Sequence, residues 1–132
     1  MSAQPQITIV ETIDDLRDLR KRLIAEEIVF IDTEFHAENR YFPKLMLMQI
    51  ASIDENVWLV DPLKVNPEPL GAAMRNLTVV CHSGREDVKL LYRVLGLIPE
   101  KYFDTQIAAG MLGFHYPMGL DKIAQTFVDT PV

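Results

Sequence analysis

Cysteine is almost missing from this chain. Cys81 stands alone among 132 residues, which excludes a disulfide framework and a cysteine-rich zinc site and makes a cytosolic chain the natural reading. A basic excess is missing too. The formal charge of −6 excludes a generally basic surface, but not a local basic strip beside an acidic pocket. The opening MSAQPQITIV has neither a basic segment nor a long apolar core, so it reads as neither a signal peptide nor a transmembrane helix. Internal repeats and low-complexity tracts are also lacking. What remains is a chain that is 48% hydrophobic, long enough to bury one core and too short for two. The expectation is a single soluble, cytoplasmic domain over residues 1–132.

Ile7 to Val10 reads as a short strand, and Thr12 caps a helix whose first turn carries Asp14 and Asp15 beside the positive helix end. Ile13, Leu16, Leu19 and Leu23 recur at helical spacing and set its buried side. Ile28 to Asp32 is apolar on both parities, which predicts a strand in the middle of a sheet covered on both faces. After the polar loop HAENRYFP, the segments Leu45 to Ser52 and Asn56 to Val60 form a hairpin with turn chemistry at Asp54, Glu55 and Asn56. A short helix is expected near Leu70 to Arg75, then a strand at Thr78 to Cys81. Val88, Leu91, Tyr92 and Leu95 predict the buried stripe of the next helix, which Gly96 and Pro99 end. Phe103 closes a further extended piece, Asp104 or Thr105 caps a helix through Leu112, and another helix begins over Leu120 to Phe127. Strands alternating with helices around an early hairpin indicate an α/β fold with a mixed sheet.

The stretch FIDTEF carries the chemistry. In an extended chain Asp32 and Glu34 point to the same face. Two carboxylates so placed repel unless one is protonated or a cation lies between them. Oxygen-only ligands suit Mg²⁺ or Mn²⁺ rather than zinc, and two such ions can stabilise the attacking and leaving oxygens of a phosphodiester displacement. The plainer alternative is an exposed strand end with two solvated acids. In HSGRED, Ser83 and Glu86 have capping-box spacing, and Gly84 permits a tight strand-to-helix entry. Asp87 then falls in the first helical turn, at the same rim as the acid pair or simply as a complement to the helix dipole.

DTEF at Asp32 to Phe35, then H-x-G-x-x-D at His82 to Asp87, then FDTQIAAGMLG at Phe103 to Gly113 together resemble the exonuclease domain of the ribonuclease D family, within the DEDD superfamily. RYFPKLMLMQIA and VWLVDPL between these motifs agree as well, so the resemblance runs from about Ile7 to the end. It implies a ribonuclease H-like mixed sheet with flanking helices. It also implies a 3′-5′ exonuclease acting with two divalent ions on single-stranded RNA 3′ ends in RNA and tRNA processing, with DNA as a further substrate class. By position, Asp32 matches the acid that bridges both ions, Glu34 the acid at the ion near the attacking water, and Asp87 the acid that helps hold the ion by the leaving group. The family's third motif, Tyr-x-x-x-Asp, does not occur: Leu45, Gly96, Gln106 and Leu120 follow Tyr41, Tyr92, Tyr102 and Tyr116 by four. The expectation is therefore a domain truncated at its C-terminus, without helical RNA-binding domains and with a weakened second ion site. A sheet face left bare would favour self-association or a partner chain. A non-catalytic nucleic-acid-binding module that keeps the fold is the alternative.

Phe35, Arg85 and Lys89 are the expected nucleic-acid contacts, with Arg93 on the same helix face; a solvated face is the alternative for the three basic residues. Arg40, Tyr41 and Phe42 are also within reach of a terminal nucleotide, with core packing the preferred expectation for Tyr41 and Phe42. Met46, Met48, Met111 and Met118 are expected to fill core. His82 and Asp104 are expected to be structural, Asp104 as a cap, and Cys81 beside His82 forms no dyad because adjacent strand residues face apart.

Overall fold

A computed structural model describes residues 5–96 and 98–128. Met1 to Gln4 of the opening segment and the chain end at Val132 lie outside the described residues. The order is β1 (Ile7–Val10), α1 (Ile13–Ile24), β2 (Ile28–His36), β3 (Lys44–Ser52), β4 (Val57–Val60), α2 (Leu70–Met74), β5 (Thr78–Cys81), α3 (Arg85–Leu95), β6 (Lys101–Asp104), α4 (Thr105–Met111) and α5 (Leu120–Phe127). The six strands form one mixed sheet in the order β1-β4-β3-β2-β5-β6. The hairpin pairs β2, β3 and β4 antiparallel, while β1 joins β4, and β5 and β6 extend β2, in parallel. Among the described residues no helix is long and apolar enough to cross a membrane.

Local chemistry explains the first helix. The Thr12 side chain accepts from the Asp15 backbone, and the Asp15 carboxylate accepts from the Thr12 backbone N–H, so two otherwise orphaned donors are satisfied. Leu16, Leu19 and Leu23 are buried, whereas Ile13 is exposed. The stripe therefore starts one turn later than the periodicity predicts.

One sheet face holds the core. Val10, Val29, Ile31, Met48, Ile50 and Val79 point to it and pack against leucines of α1, α2 and α3. Burying each such side chain contributes roughly 1.5–3 kcal/mol. The other face is largely bare. Ile7 and Ile9 are exposed there, and Phe30 is 42% exposed. This corrects the expectation that β2 is covered on both sides: its apolar outer residue, Phe30, only looks like core in sequence. The strand also runs on to His36, the residue expected to start the loop.

Opposite the end of β2 the register slips. Glu34 pairs with Leu47 and Phe35 with Leu45, so Met46 of β3 is the extra residue of a bulge. That is why Met46 is exposed while Met48 is fully buried. Met111 is exposed as well, so core filling holds for Met48 and fails for Met46 and Met111.

Candidate active site

Alternation along β2 decides the placement of the acids. Val29, Ile31 and Thr33 point to the packed face, and Phe30, Asp32 and Glu34 to the open one. Asp32 and Glu34 therefore share a face, next to Gln49, whose amide donates to Asp32 Oδ2 at 3.3 Å. Phe35, the next residue, is exposed.

Asp87 reaches the same strand from the helix side. It is buried in the first turn of α3, where the Thr33 hydroxyl donates to its Oδ1. Burial pushes the Asp87 carboxyl above its ordinary value, Thr33 opposes that shift by hydrogen bonding, and the Asp32 charge adds to it. The two acids thus feel each other through one strand. Sequence reasoning missed Thr33, since a threonine between two acids has no local signal; its partner lies 54 residues away.

What starts α3 is not the expected capping box. Ser83 sits at φ 53°, Gly84 is the N-cap, and no side chain of the segment caps the helix. Glu86 instead pairs with Lys89 at 2.7 Å. Asp104, at the end of the neighbouring strand β6, takes over. Its carboxylate accepts from the Ser83 and Gly84 backbone N–H groups at 3.0 and 2.9 Å, and from Gln106 and Ile107 at 2.9 and 3.4 Å. Burial alone would raise its pKa, but these four donors outweigh burial and the net shift is downward. One carboxylate therefore ties the turn before α3 to the start of α4. Asp104 caps α4 as expected, and both its oxygens are engaged.

The turn is tight for a second reason. A Cβ on Gly84 would lie 2.2 Å from Cys81 Sγ and 2.2 Å from the Tyr102 hydroxyl oxygen. Gly84→Ala is expected to cost about 2–3 kcal/mol, seen as a drop in the unfolding midpoint; an unchanged midpoint would refute the close approach. Cys81 itself is inert. Burial pushes its thiol up to about 11, and its Sγ meets the Tyr102 hydroxyl. His82 points elsewhere, its Nδ1 2.9 Å from Thr105 Oγ1. The two residues form no dyad.

Arg85 and Lys89 lie exposed on α3 beside this rim. The buried stripe of α3 is Asp87, Leu90, Leu91 and Leu95, rotated from the predicted one, so Tyr92 is exposed at 57%. Tyr41 and Phe42 are exposed at 92% and 59%, which corrects the expectation that they pack in the core. On the open sheet face a cleft of about 430 Å³ runs beside Asp32, lined by Phe30, Gln49, Val80, His82 and Leu120 among others.

The donor set is carboxylate oxygen, which suits a hard divalent ion and not zinc. Asp32, which Asp87 senses as a like charge, has no basic ion-pair partner among the described residues, nor has Glu34. That is the electrostatic condition a cation relieves. Among the described residues, however, no three acids, histidines or cysteines stand close enough to form a metal-holding group. The alternation of β2 accounts for this, since Asp32 and Glu34 leave the strand on one side and Asp87 approaches Thr33 from the other.

A family model described as 3′-5′ exonuclease matches residues 7–132. The chain belongs to the 3′-5′ exonuclease family. Within that family it is of the ribonuclease D-like, DEDD type. It is 35% identical over 128 residues to ribonuclease D of Desulfotalea psychrophila, covering 95% of this chain and 34% of that protein. The structure of Escherichia coli RNase D, described as an exoribonuclease involved in structured RNA processing, superposes with a TM-score of 0.87 at 29% identity, over 96% of this chain and 34% of that one. The catalytic core of RRP6 from Trypanosoma brucei matches with a TM-score of 0.86 at 31% identity, over 98% of this chain and 36% of that one. These matches establish the ribonuclease H-like α/β architecture. The chain spans about a third of the length of the curated relatives it matches. DEDD exonucleases use divalent metal ions, in keeping with the oxygen donors at the end of β2 in this chain.

Proposed function

We propose that this chain is the exonuclease domain of a ribonuclease D-type enzyme that hydrolyses the terminal phosphodiester at the 3′ end of single-stranded RNA, in the cytoplasm, releasing nucleoside monophosphates. The observation that carries the reading is the Asp32–Glu34 pair on the open face of a central strand, with Asp87 locked to that strand through Thr33. The stretch that the family model spans, residues 7–132, contains all three acids.

Asp32 and Glu34 would hold Mg²⁺ or Mn²⁺, which when bound lowers the pKa of water and neutralises charge on the phosphodiester, and Asp87 would join them as a ligand on turning away from Thr33. The chain's own residues set the stage for this. Thr33 fixes the Asp87 carboxylate, Gln49 steadies Asp32, and Asp104 holds the turn from which α3 departs. Phe35, Arg85 and Lys89 are exposed and would grip a terminal nucleotide and its phosphates.

The test is incubation with 5′-labelled single-stranded RNA and Mn²⁺ or Mg²⁺. Stepwise shortening from the 3′ end, absent with EDTA and absent in Asp32→Ala, is the expected result. RNA bound but never shortened would replace the enzyme with a nucleic-acid-binding module. DNA of the same sequence, run in parallel, reports the sugar preference.

A further inference from the structure

Three aromatic rings that the sequence pattern assigns to core lie in water, and they lie together. Tyr41 and Phe42 of the β2–β3 loop and Tyr92 of α3 line one cleft of about 520 Å³, with Lys89 and Arg93 on its helix side. Tyr41 meets Phe42 edge to face, centroids 4.6 Å apart at 78°. The Arg93 guanidinium lies 3.5 Å from the Phe42 ring centre. Large rings left in water are costly, and here Tyr41 and Phe42 are held in a fixed mutual orientation, with Tyr92 lining the same cleft. Glu86 on the cleft is occupied by Lys89 at 2.7 Å, while Arg93 forms no ion pair among the described residues.

We propose that this cleft is a stacking platform for the bases of single-stranded RNA upstream of the 3′ end. The inference rests on the exoribonuclease reading above and adds where the rest of the strand lies. Every base has a π-face, so exposed rings and a guanidinium plane suit single strands without sequence preference, and the uncompensated Arg93 charge suits a phosphate backbone. Continuity with the acidic rim argues for RNA over a protein partner. Arg93 lies six residues beyond Asp87 on α3, about 9 Å along the helix axis, and the loop bearing Tyr41 and Phe42 continues from the strand that carries Asp32 and Glu34. A strand whose 3′ end sits at the acids would reach the cleft by way of this loop and α3.

The test uses fluorescence anisotropy in EDTA, with a labelled RNA of about twelve nucleotides and a labelled dinucleotide, on the wild type, Tyr41→Ala, Arg93→Ala and Arg93→Lys. All three substitutions are at exposed positions, and thermal melts verify folding. The expected result is that Tyr41→Ala and Arg93→Ala each lower the ratio of long-RNA to dinucleotide affinity about tenfold, and that Arg93→Lys, which keeps the charge but not the plane, recovers only part of it. Unchanged ratios in Tyr41→Ala and Arg93→Ala, with RNA still shortened in an Asp32-dependent way, would overturn the platform and leave the exonuclease reading standing. Full recovery by Arg93→Lys with no effect of Tyr41→Ala would reduce the cleft to a surface charge and likewise overturn it. A wild-type protein that neither binds nor shortens RNA would remove the exonuclease reading, and the platform with it.

Discussion

Asp32→Asn is expected to lower the rate of RNA shortening on the order of 10³-fold at saturating Mn²⁺, since a lost carboxylate ligand forfeits several kcal/mol of charge stabilisation and each 1.36 kcal/mol is a factor of ten. The side chain keeps its size and its position on the exposed face of β2, so the loss is one of charge alone. Folding should not suffer. Asp32 is one of the groups that raise the Asp87 pKa, and removing its charge relieves a repulsion at the strand end. Thermal unfolding in the same buffer is therefore expected to match or slightly exceed the wild type. A variant that retained more than about a tenth of the rate would sink the assignment of Asp32 to the reacting centre, because no ligand worth several kcal/mol could be dispensed with so cheaply.

Asp104→Ala is expected to be the most destabilising single change outside the apolar core, by about 3 kcal/mol, since it strands several backbone donors that share one carboxylate. A fall of about 10 °C in the unfolding midpoint follows for a domain of this size. The pH dependence has a definite sign. The Asp104 pKa is lowered in the folded protein from 3.8, so its ionic contribution is fully present above about pH 4 and is lost as the pH falls through the lowered folded value. The stability gap between wild type and variant should be constant near neutrality and narrow in acid. A gap independent of pH down to acid unfolding would show that the charge of Asp104 contributes nothing. RNA shortening should fall too, because Asp104 fixes the turn from which Asp87 enters α3.

Features set by neighbours in sequence were legible, and features set by neighbours in space were not. The Thr12 cap, β5 at Thr78–Cys81, the left-handed Gly96 after α3 and the cap at Asp104 all follow from chemistry within a turn or two. The Ser83–Glu86 box had the same kind of signature, yet it lost to a carboxylate delivered by β6, because the β5–β6 pairing sets Cys81 against Asp104. Likewise apolar periodicity does not distinguish a ring packed in a core from a ring held at a cleft, which is why Tyr41, Phe42 and Tyr92 were misplaced. The acid pair needed only the alternation of a strand. That Asp87 would be tied to the residue between them required the tertiary structure.

That tie has a consequence for how this strand tolerates change. Asp32 and Glu34 leave one side of β2, and Thr33, which receives Asp87, leaves the other. Strand parity is therefore shared by the hydrophobic core and the acids. Deleting or inserting a single residue between Ile28 and Asp32 would turn the carboxylates into the leucine layer and the threonine out to solvent, while longer or shorter versions of the loop after His36 would leave the acid spacing untouched. Single-residue length changes are thus expected to be purged before Asp32.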